Sequence, residues 1–329
     1  MGDNENSNLV WHYTDGAALM NIITNNELWA SSAAFMNDVD ELLSGNKELR
    51  KHFDEQRETL PEPVAQLLEQ HIPKEDSRTK DAFVLSGSTD PDSLTLWRNY
   101  GRHQVSFAVG FDKRVPLVPM IPTVPKDGIE VTEHPYPPSD YYENMYDSDA
   151  EGNVALHPDG SPIVINDPDT ERVENSGWKP VVYDQSQQKD LISEIFARLR
   201  QSAEAATDGK SSIGFWMQLY LMNESLHLIK NAGFLDEKEE RVVVWLAPDW
   251  KFVCHRPGPY GIMPYIKLTA PSEDDSDHRY ATKPGTLPIQ EIRVGPSPYS
   301  LAAVESLKQL LGFHGLHDVK VTYSEIPFR

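Results

Sequence analysis

The sequence predicts an α+β protein whose central sheet is mixed or antiparallel and is flanked by helices. Residues 189–206 and 213–231 carry apolar side chains at helical spacing, and both segments are far longer than a typical strand. Residues 239–246, EERVVVWL, form an apolar run suited to a central strand. Strands and helices do not alternate regularly along the chain, which favours an α+β fold over a doubly wound parallel sheet.

The N-terminal part begins with a predicted strand at 9–13 and continues directly into a helix. Asp15 can cap this helix, because its carboxylate can accept a hydrogen bond from the first backbone N–H groups. Asn25 and Asn26 suit its end, since asparagine tolerates left-handed backbone geometry. The further elements expected up to residue 111 are a strand at 27–31, a helix at 61–71, a strand at 81–86, a helix at 92–100 and a strand at 104–111.

Residues 113–180 differ from the rest of the chain, because they are rich in proline, aspartate and tyrosine, as in HPYPPSDYYENMYDSDAEGN. We expect a long, irregular and acidic excursion over the surface there, in a chain that otherwise forms a single domain over residues 1–329. After the two long helices and the apolar strand, the predicted elements are strands at 262–268 and 289–294, a helix at 301–311 and a strand at 319–324.

The formal charge of −21 limits the classes of partner. An acidic surface repels phosphate backbones and anionic lipids, so non-specific nucleic-acid binding and membrane binding are not expected. The first eight residues lack the basic and apolar regions of a signal peptide, and no apolar run reaches the ~18 residues of a membrane span. Cys254 is the single cysteine, which excludes an intramolecular disulfide. We therefore expect a cytoplasmic protein with no metal site.

The common catalytic motifs are absent. The chain contains no G-x-x-x-x-G-K-[ST], G-x-G-x-x-G, H-E-x-x-H or G-x-S-x-G. P-loop, Rossmann, zincin and hydrolase-elbow functions therefore have no support in the sequence.

The first candidate motif is Trp11-His12-Tyr13-Thr14, at the end of a predicted strand. His12 and Thr14 point to the same side of an extended strand, where an imidazole and a hydroxyl can both meet one ligand, such as a ribose diol. The alternative is structural: Thr14 helps to cap the following helix, and His12 is a satisfied core histidine.

The second candidate motif opens the apolar strand at Glu237-Lys238-Glu239-Glu240-Arg241. Alternation along a strand places Glu237, Glu239 and Arg241 on one face, with the two carboxylates about 7 Å apart. Such a pair can orient a nucleophile and stabilise a developing positive charge. The alternative is a cluster of charged residues at the start of the strand, in which Arg241 only neutralises its acidic neighbours.

Two further segments carry candidate residues. Asn37, Asp38 and Glu41 belong to a turn that either lies near the site or only starts the next helix. Trp97 and Tyr100 share a helix face and can stack on a base or a nicotinamide ring, or can form part of the core.

Taken in order, five segments resemble the family known as domain of unknown function 2971. They are LVWHYTDGAALMNIITNNELWASSAAFMNDVDE, FVLSGSTDPDSLTLWRNYGRHQVSFAVGFD, LIKNAGFLDEKEERVVVW, IQEIRVGP and VTYSEIPFR. The resemblance covers nearly the whole chain except the acidic excursion. The turn departs from the family pattern, because Val39 stands where a proline is usual.

We associate this family with the ADP-ribosyltransferase fold, and the association implies a split central sheet and NAD as a substrate. It implies that His12 with Thr14 holds the NAD ribose and that Tyr13 beside them belongs to the cofactor-binding residues. It also implies that Ser31 or Ser32 lies near the nicotinamide, and that Glu239 with Glu237 carries the chemistry. Glu239 would stabilise an oxocarbenium-like transition state, and Arg241 would hold either a phosphate or Glu239. The acceptor, a protein or a nucleic acid, is left open. The alternatives are a nucleotide-binding sensor without catalysis and a bacterial defence or toxin effector on the same scaffold.

Overall fold

Eleven strands and seven α-helices make up the described part of the chain. A computed structural model describes residues 8–36, 39–74, 82–100, 105–122, 173–207, 212–246, 252–259, 261–272 and 280–327. The strands are β1 Leu9–Asp15, β2 Leu28–Ser32, β3 Ala82–Ser88, β4 Ser106–Asp112, β5 Val118–Met120, β6 Val173–Pro180, β7 Glu239–Leu246, β8 Val253–Gly258, β9 Gly261–Thr269, β10 Ile289–Val294 and β11 Lys320–Tyr323. The helices are α1 Gly16–Asn25, α2 Val39–Gln56, α3 Glu62–His71, α4 Leu94–Tyr100, α5 Gln185–Thr207, α6 Ser212–Leu226 and α7 Ser300–Phe313.

The strands form a sheet of mixed direction, which confirms the predicted α+β class. Its main path runs β11-β10-β4-β1-β3-β2-β9-β5, with β7 and β6 branching from β3 and with β8 paired to β9. β10 and β11 are parallel, and the other pairings between two of these strands are antiparallel.

The sheet splits at β3. One edge of β3 pairs with β7 over its whole length, from Ala82 opposite Trp245 to Ser88 opposite Glu239. The other edge of β3 is shared between two strands. β2 pairs near the start of β3, and β1 pairs with β3 only where Trp11 lies opposite Ser88. By contrast, β1 pairs with β4 along seven residues. β1 and β2 therefore diverge, and a gap opens along the middle of β3.

Helices pack on both faces of the sheet. α1 and α7 cover the main core, to which they contribute Leu19, Ile22, Ile23, Val304, Leu307 and Leu311. α2, α3, α5 and α6 pack mainly on one another and enclose a second core around Phe53, Leu68, Phe196 and Phe215. α4 is short and packs Leu96 and Trp97 against Trp11 and Tyr13 of β1.

The ends of α1 follow the predicted chemistry. The Asp15 carboxylate accepts a hydrogen bond from the Ala18 backbone N–H at 2.8 Å, and Asn26 adopts a left-handed conformation with φ of 52°. A carboxylate at the N-cap and a left-handed asparagine at the C-cap set the two ends of this helix between β1 and β2. The sequence left open whether Thr14 helps to cap α1. The structure places Asp15, and not Thr14, at the cap position.

The prediction of an irregular excursion over 113–180 is wrong at both ends. β5 pairs with β9, and β6 pairs with β7. The pairing of β6 shifts between Asn175 and Trp178, where Gly177 has φ of 77°, and this bulge interrupts the alternation that would identify a strand. Residues 123–172 of the predicted excursion lie outside the described residues.

Two other boundaries differ from expectation. α6 ends at Leu226 rather than near residue 231, because Ile229 forms a parallel bridge with Val182. From its neighbours Val253 and His255, Cys254 is expected to be a half-buried strand residue, and it lies partly buried in β8; the bounds of β8 were not predicted, since VCHRPG contains a proline and a glycine. None of the helices in the described ranges combines the length and apolar character needed to cross a bilayer.

Candidate functional site

A small solvent-accessible cleft of about 60 Å³ lies where β1 and β3 diverge. Both sequence motifs reach it, since His12 on β1 and Glu239 on β7 are among its lining residues. Trp11 and Glu239 lie opposite Ser88 on either side of β3, so their backbones are separated by two strand spacings, about 10 Å. The lining consists of Trp11, His12, Tyr13, Ser86, Gly87, Ser88, Leu96, Tyr100, Glu237 and Glu239.

His12 occupies the gap in the sheet. Its Nδ1 lies 2.9 Å from the Ser86 carbonyl oxygen, on the edge of β3 that β1 leaves unpaired. A carbonyl only accepts, so Nδ1 donates and the neutral ring carries its lone pair on Nε2. Burial lowers the pKa of His12 below its ordinary value, and the hydrogen bond to Ser86 offsets part of this effect. His12 is therefore neutral at pH 7 and offers Nε2 as an acceptor.

The two predicted carboxylates share one buried cation. Lys230 Nζ lies 2.7 Å from Glu237 Oε2 and 2.7 Å from Glu239 Oε2. Arg241 donates from Nε to Glu239 Oε1 at 2.8 Å and from Nη2 to Glu239 Oε2 at 3.0 Å. All four residues are buried, and their formal charges sum to zero. Both oxygens of Glu239 are therefore engaged.

Glu237 reaches this network by a different route from the one predicted. It ends a 3-10 helix, Ala232–Glu237, and Lys238 follows in a left-handed conformation with φ of 43°, so Glu237 is not part of β7. The prediction that strand alternation places Glu237 beside Glu239 is wrong, although the turn brings both side chains to the same cation. Ser88 donates from Oγ to the Glu237 carbonyl at 2.6 Å, which ties this turn to the end of β3.

Glu239 and Glu237 differ in the oxygen atoms they leave for a ligand. Burial raises the pKa of Glu239, whereas the charges and hydrogen bonds of Arg241 and Lys230 lower it. The lowering is the larger effect, so the pKa of Glu239 lies below its ordinary value. Glu239 is therefore a permanent anion held by two cations. Glu237 Oε1 accepts no hydrogen bond from the described residues, whereas Oε2 binds Lys230. Glu237 thus presents the less engaged carboxylate oxygen at the cleft.

The aromatic candidates divide between the core and the cleft. Trp97 is buried, donates from Nε1 to Asp92 at 2.8 Å and packs edge-on against Tyr13, and it does not line the cleft. The Tyr13 hydroxyl donates to the Asp90 carbonyl and accepts from the Ser93 N–H. Tyr100 lines the cleft and is 44% exposed. Of the two predicted stacking residues, only Tyr100 is therefore placed to meet a ligand.

Three predicted hydroxyls do not line the cleft. Thr14 is buried opposite Phe107 in the β1–β4 ladder and does not line the cleft, so the expected contact of His12 and Thr14 with one ligand stays a prediction. Ser31 Oγ accepts from Arg256 Nη2 at 2.7 Å, and Ser32 is buried opposite Phe83. These serines are the last two residues of β2, which pairs with β3 away from β1.

The predicted turn residues lie largely outside the described chain. Asn37 and Asp38 are outside the described residues, and so is the side chain of Glu41. Their possible proximity to the site stays a prediction. Arg241, for which a phosphate and Glu239 were alternative partners, binds Glu239 and also donates to the His227 carbonyl at 2.6 Å.

The sequence motifs did not identify Lys230, Ser86 or Ser88 as part of the site. Lys230 lies seven and nine residues before the two glutamates, within the segment LIKNAGFLDEKEERVVVW that carries the family resemblance. The signal in the sequence that could have identified Lys230 is its short distance along the chain from Glu237 and Glu239. Among the described residues, no three histidine, cysteine, aspartate or glutamate side chains are grouped so that they could hold a metal ion.

Comparison with known proteins adds no assignment. No protein family, no curated protein and no solved structure matches the chain. The case for a function therefore depends on the cleft and its residues.

Proposed function

We propose that this chain binds NAD, or a related nicotinamide nucleotide, in the cleft between β1 and β3 and cleaves the bond between nicotinamide and ribose. ADP-ribose would pass to an acceptor, a protein or a nucleic acid, or to water. The observation that carries the proposal is that His12 and the Glu237–Glu239 pair line one cleft at the split of the sheet. This split agrees with the ADP-ribosyltransferase-like fold that the family resemblance implies. The compartment we propose is the cytoplasm, where a single free cysteine stays reduced.

Each cleft residue has a role in this reaction. His12 Nε2 accepts a hydrogen bond from a ribose hydroxyl, because Nδ1 is committed to Ser86. Tyr100 packs against the nicotinamide ring. As the C1′–N bond lengthens, positive charge develops on the ribose, and a fixed carboxylate stabilises it more than it stabilises the ground state.

The geometry favours Glu237 over Glu239 for direct contact with the ribose. Glu239 is bound through both oxygens by Arg241 and Lys230, so its charge is largely compensated. Glu237 shares only one oxygen with Lys230. We therefore assign Glu239 to holding Lys230 and Glu237 in position, with Glu237 Oε1 meeting the developing charge.

Nicotinamide release tests this proposal. The purified protein is incubated with NAD, and free nicotinamide is measured by chromatography for the unmodified chain, Glu237→Gln and Glu239→Gln. We expect each substitution to lower the rate by about 100-fold or more, the scale on which one positioned electrostatic group acts. Glu240→Gln is the matched control, because Glu240 binds Lys113 and points away from the cleft. Release that survives both cleft substitutions removes the catalytic assignment.

One observation favours a second candidate, a nucleotide sensor without catalysis. Lys230 and Arg241 compensate the charges of both carboxylates, and a compensated pair stabilises an oxocarbenium ion poorly. A sensor would bind NAD, as measured by titration calorimetry, without releasing nicotinamide in the presence of any acceptor. A defence or toxin effector would instead require release together with a modified target.

A further inference from the structure

Residues 181–183 connect two parts of the chain that carry site residues. The Glu239 backbone N–H donates to the Tyr183 hydroxyl at 2.8 Å. The Lys230 backbone N–H donates to the Val182 carbonyl at 3.2 Å. One short segment is therefore hydrogen-bonded both to the carboxylate residue that begins β7 and to the lysine that pairs with it.

Tyr183 supplies an acceptor where the pairing of β6 with β7 ends. The Val181 N–H donates to the Glu239 carbonyl at 3.0 Å. A hydrogen-bonded antiparallel pair ordinarily exchanges two such bonds, but here the Glu239 N–H donates to the Tyr183 hydroxyl instead. Burial raises the pKa of Tyr183, so the hydroxyl is neutral at pH 7. This bond holds the first residue of β7 directly after the left-handed backbone of Lys238.

Gln188, in the first turn of α5, binds the same segment together with Lys230. Its Nε2 lies 2.7 Å from the Val182 carbonyl oxygen, 2.8 Å from that of Lys230 and 3.4 Å from that of Tyr183. Carbonyl oxygens only accept, so the amide NH2 group faces them, and its two N–H bonds serve the two shorter contacts. A carboxylate in this place would face oxygen atoms alone.

The position of the Lys230 ammonium depends on this backbone arrangement. The ammonium lies 2.7 Å from Glu237 Oε2 and 2.7 Å from Glu239 Oε2. The lysine side chain has a fixed maximal reach, so a shift of its backbone relative to the start of β7 moves Nζ out of hydrogen-bonding distance of one carboxylate. Because residues 181–183 bond to both backbones, they set the separation between them.

We propose that Tyr183 and Gln188 are positioning residues of the site, which set the spacing between Lys230 and Glu239 and thereby place Glu237 Oε1. Neither of the two is among the described residues that line the cleft, so they act through the ion pairs and not by touching a ligand. The inference rests on the proposed function, in which Glu237 Oε1 meets the charge that develops on the ribose.

Amide hydrogen exchange, measured by NMR, tests the placement directly. Tyr183→Phe removes the acceptor of the Glu239 N–H, and Gln188→Met removes the donors to the Val182 and Lys230 carbonyls. We expect exchange at Glu239 in the first variant, and at Lys230 in the second, to be at least about tenfold faster than in the unmodified chain. The same spectra show whether each variant remains folded.

Release of nicotinamide from NAD tests the consequence for the reaction. Gln188→Glu replaces the amide by a carboxylate that the surrounding carbonyls repel. It is expected to lower kcat by about tenfold or more, because a catalytic group loses its effect when it is displaced. KM should stay within about threefold, because Gln188 lies outside the cleft. Tyr183→Phe and Gln188→Met should lower kcat in the same direction.

Gln187→Glu is the matched control for Gln188→Glu. It introduces the same charge one residue earlier, where the side chain is exposed and makes no hydrogen bond to the described residues. We expect kcat, KM and both exchange rates of this variant to equal those of the unmodified chain.

The two measurements separate this inference from the proposed function. Faster exchange with an unchanged kcat would give Tyr183 and Gln188 a structural role only and overturn the inference while nicotinamide release stands. Unchanged exchange rates in Tyr183→Phe and Gln188→Met overturn it whether or not the chain is active. No release from the unmodified chain removes the proposed function, and the exchange rates then decide alone whether residues 181–183 set the spacing of Lys230 and Glu239.

Discussion

The Lys230 ammonium lies 2.7 Å from Glu239 Oε2, and the two side chains are 5% and 6% exposed. A buried carboxylate at such a distance gains strongly from its partner, because little water screens the pair. The same ammonium holds Glu237 at 2.7 Å. One lysine therefore bridges two buried carboxylates, and Arg241 supplies a second cation at Glu239.

Lys230→Met is expected to destabilise the protein by roughly 3–5 kcal/mol, the usual cost of leaving buried charges without their partner. Lys238→Met is the matched control, because Lys238 is 57% exposed and pairs with Asp90 near the surface. Its loss should cost less than about 1 kcal/mol. Urea unfolding at pH 7 measures both values. Equal effects of the two substitutions would contradict the role assigned to Lys230.

His12 and Thr14 allow a test of ligand contact on one strand. His12→Phe is expected to weaken binding of NAD by about tenfold, since a lost hydrogen bond to a buried ligand costs roughly 1–1.5 kcal/mol. Thr14→Val should leave the affinity unchanged, because Thr14 does not line the cleft. Calorimetric titration of each variant gives the comparison. A larger loss for Thr14→Val than for His12→Phe would restore the sequence-based assignment.

Local patterns in the sequence predicted the secondary-structure elements more accurately than the arrangement of the residues in the site. Capping of α1 by Asp15 and termination at Asn26 depend on neighbouring residues, and both predictions are confirmed. The strand β7 was predicted with its observed bounds because its apolar run is continuous. These features need no knowledge of distant parts of the chain.

The arrangement of the site depends on contacts that the sequence does not display. Ser88 and Glu237 are 149 positions apart, yet the Ser88 hydroxyl fixes the turn that carries Glu237. His12 bonds to Ser86, 74 positions away, only because β1 leaves that edge of β3 unpaired. A left-handed lysine at 238 also replaced the strand geometry expected there. The register between distant strands and the left-handed backbone of Lys238 therefore determine where the side chains of the site lie.

Gly87 tests how closely the strands pack beside the split. A Cβ at this position would lie 2.7 Å from Val10 Cγ2 and 3.1 Å from the Trp178 ring, so neighbouring side chains must move. Gly87→Ala is expected to destabilise the protein by about 1–3 kcal/mol and to weaken ligand binding, because the residue lines the cleft.

Gly16→Ala provides the contrast. Its Cβ would meet only the Phe107 ring at 3.6 Å, and Gly16 opens α1, where alanine is the better helix former. A gain of about 0.5–1 kcal/mol is expected. Thermal unfolding of both variants measures the difference, and a stabilised Gly87→Ala would show that the strands pack less tightly than the structure indicates.

His227 should govern part of the acid sensitivity of the protein. Burial lowers its pKa to about 4, an effect that the Asn223 carbonyl opposes and the Arg241 charge reinforces. Its Nδ1 donates to that carbonyl at 2.6 Å, and its buried Nε2 accepts no hydrogen bond from the described residues. The ring is therefore held neutral beside the Arg241 guanidinium.

The direction of the pH effect follows from the two pKa values. In the unfolded chain His227 takes up a proton near pH 6.5, whereas in the folded chain it does so only near pH 4. Between these values the unfolded state binds more protons, so stability is complete above pH 6.5 and falls as the pH is lowered to 4. The loss amounts to roughly 3 kcal/mol at about 1.4 kcal/mol per pH unit. His227→Phe removes this component, and His255→Phe, at an exposed position, retains it. Urea unfolding at pH 7, 5.5 and 4 distinguishes the variants, because the difference in stability between His227→Phe and the unmodified chain should shift by about this amount across the range. A constant difference would mean that His227 titrates equally in both states and that its burial does not suppress protonation.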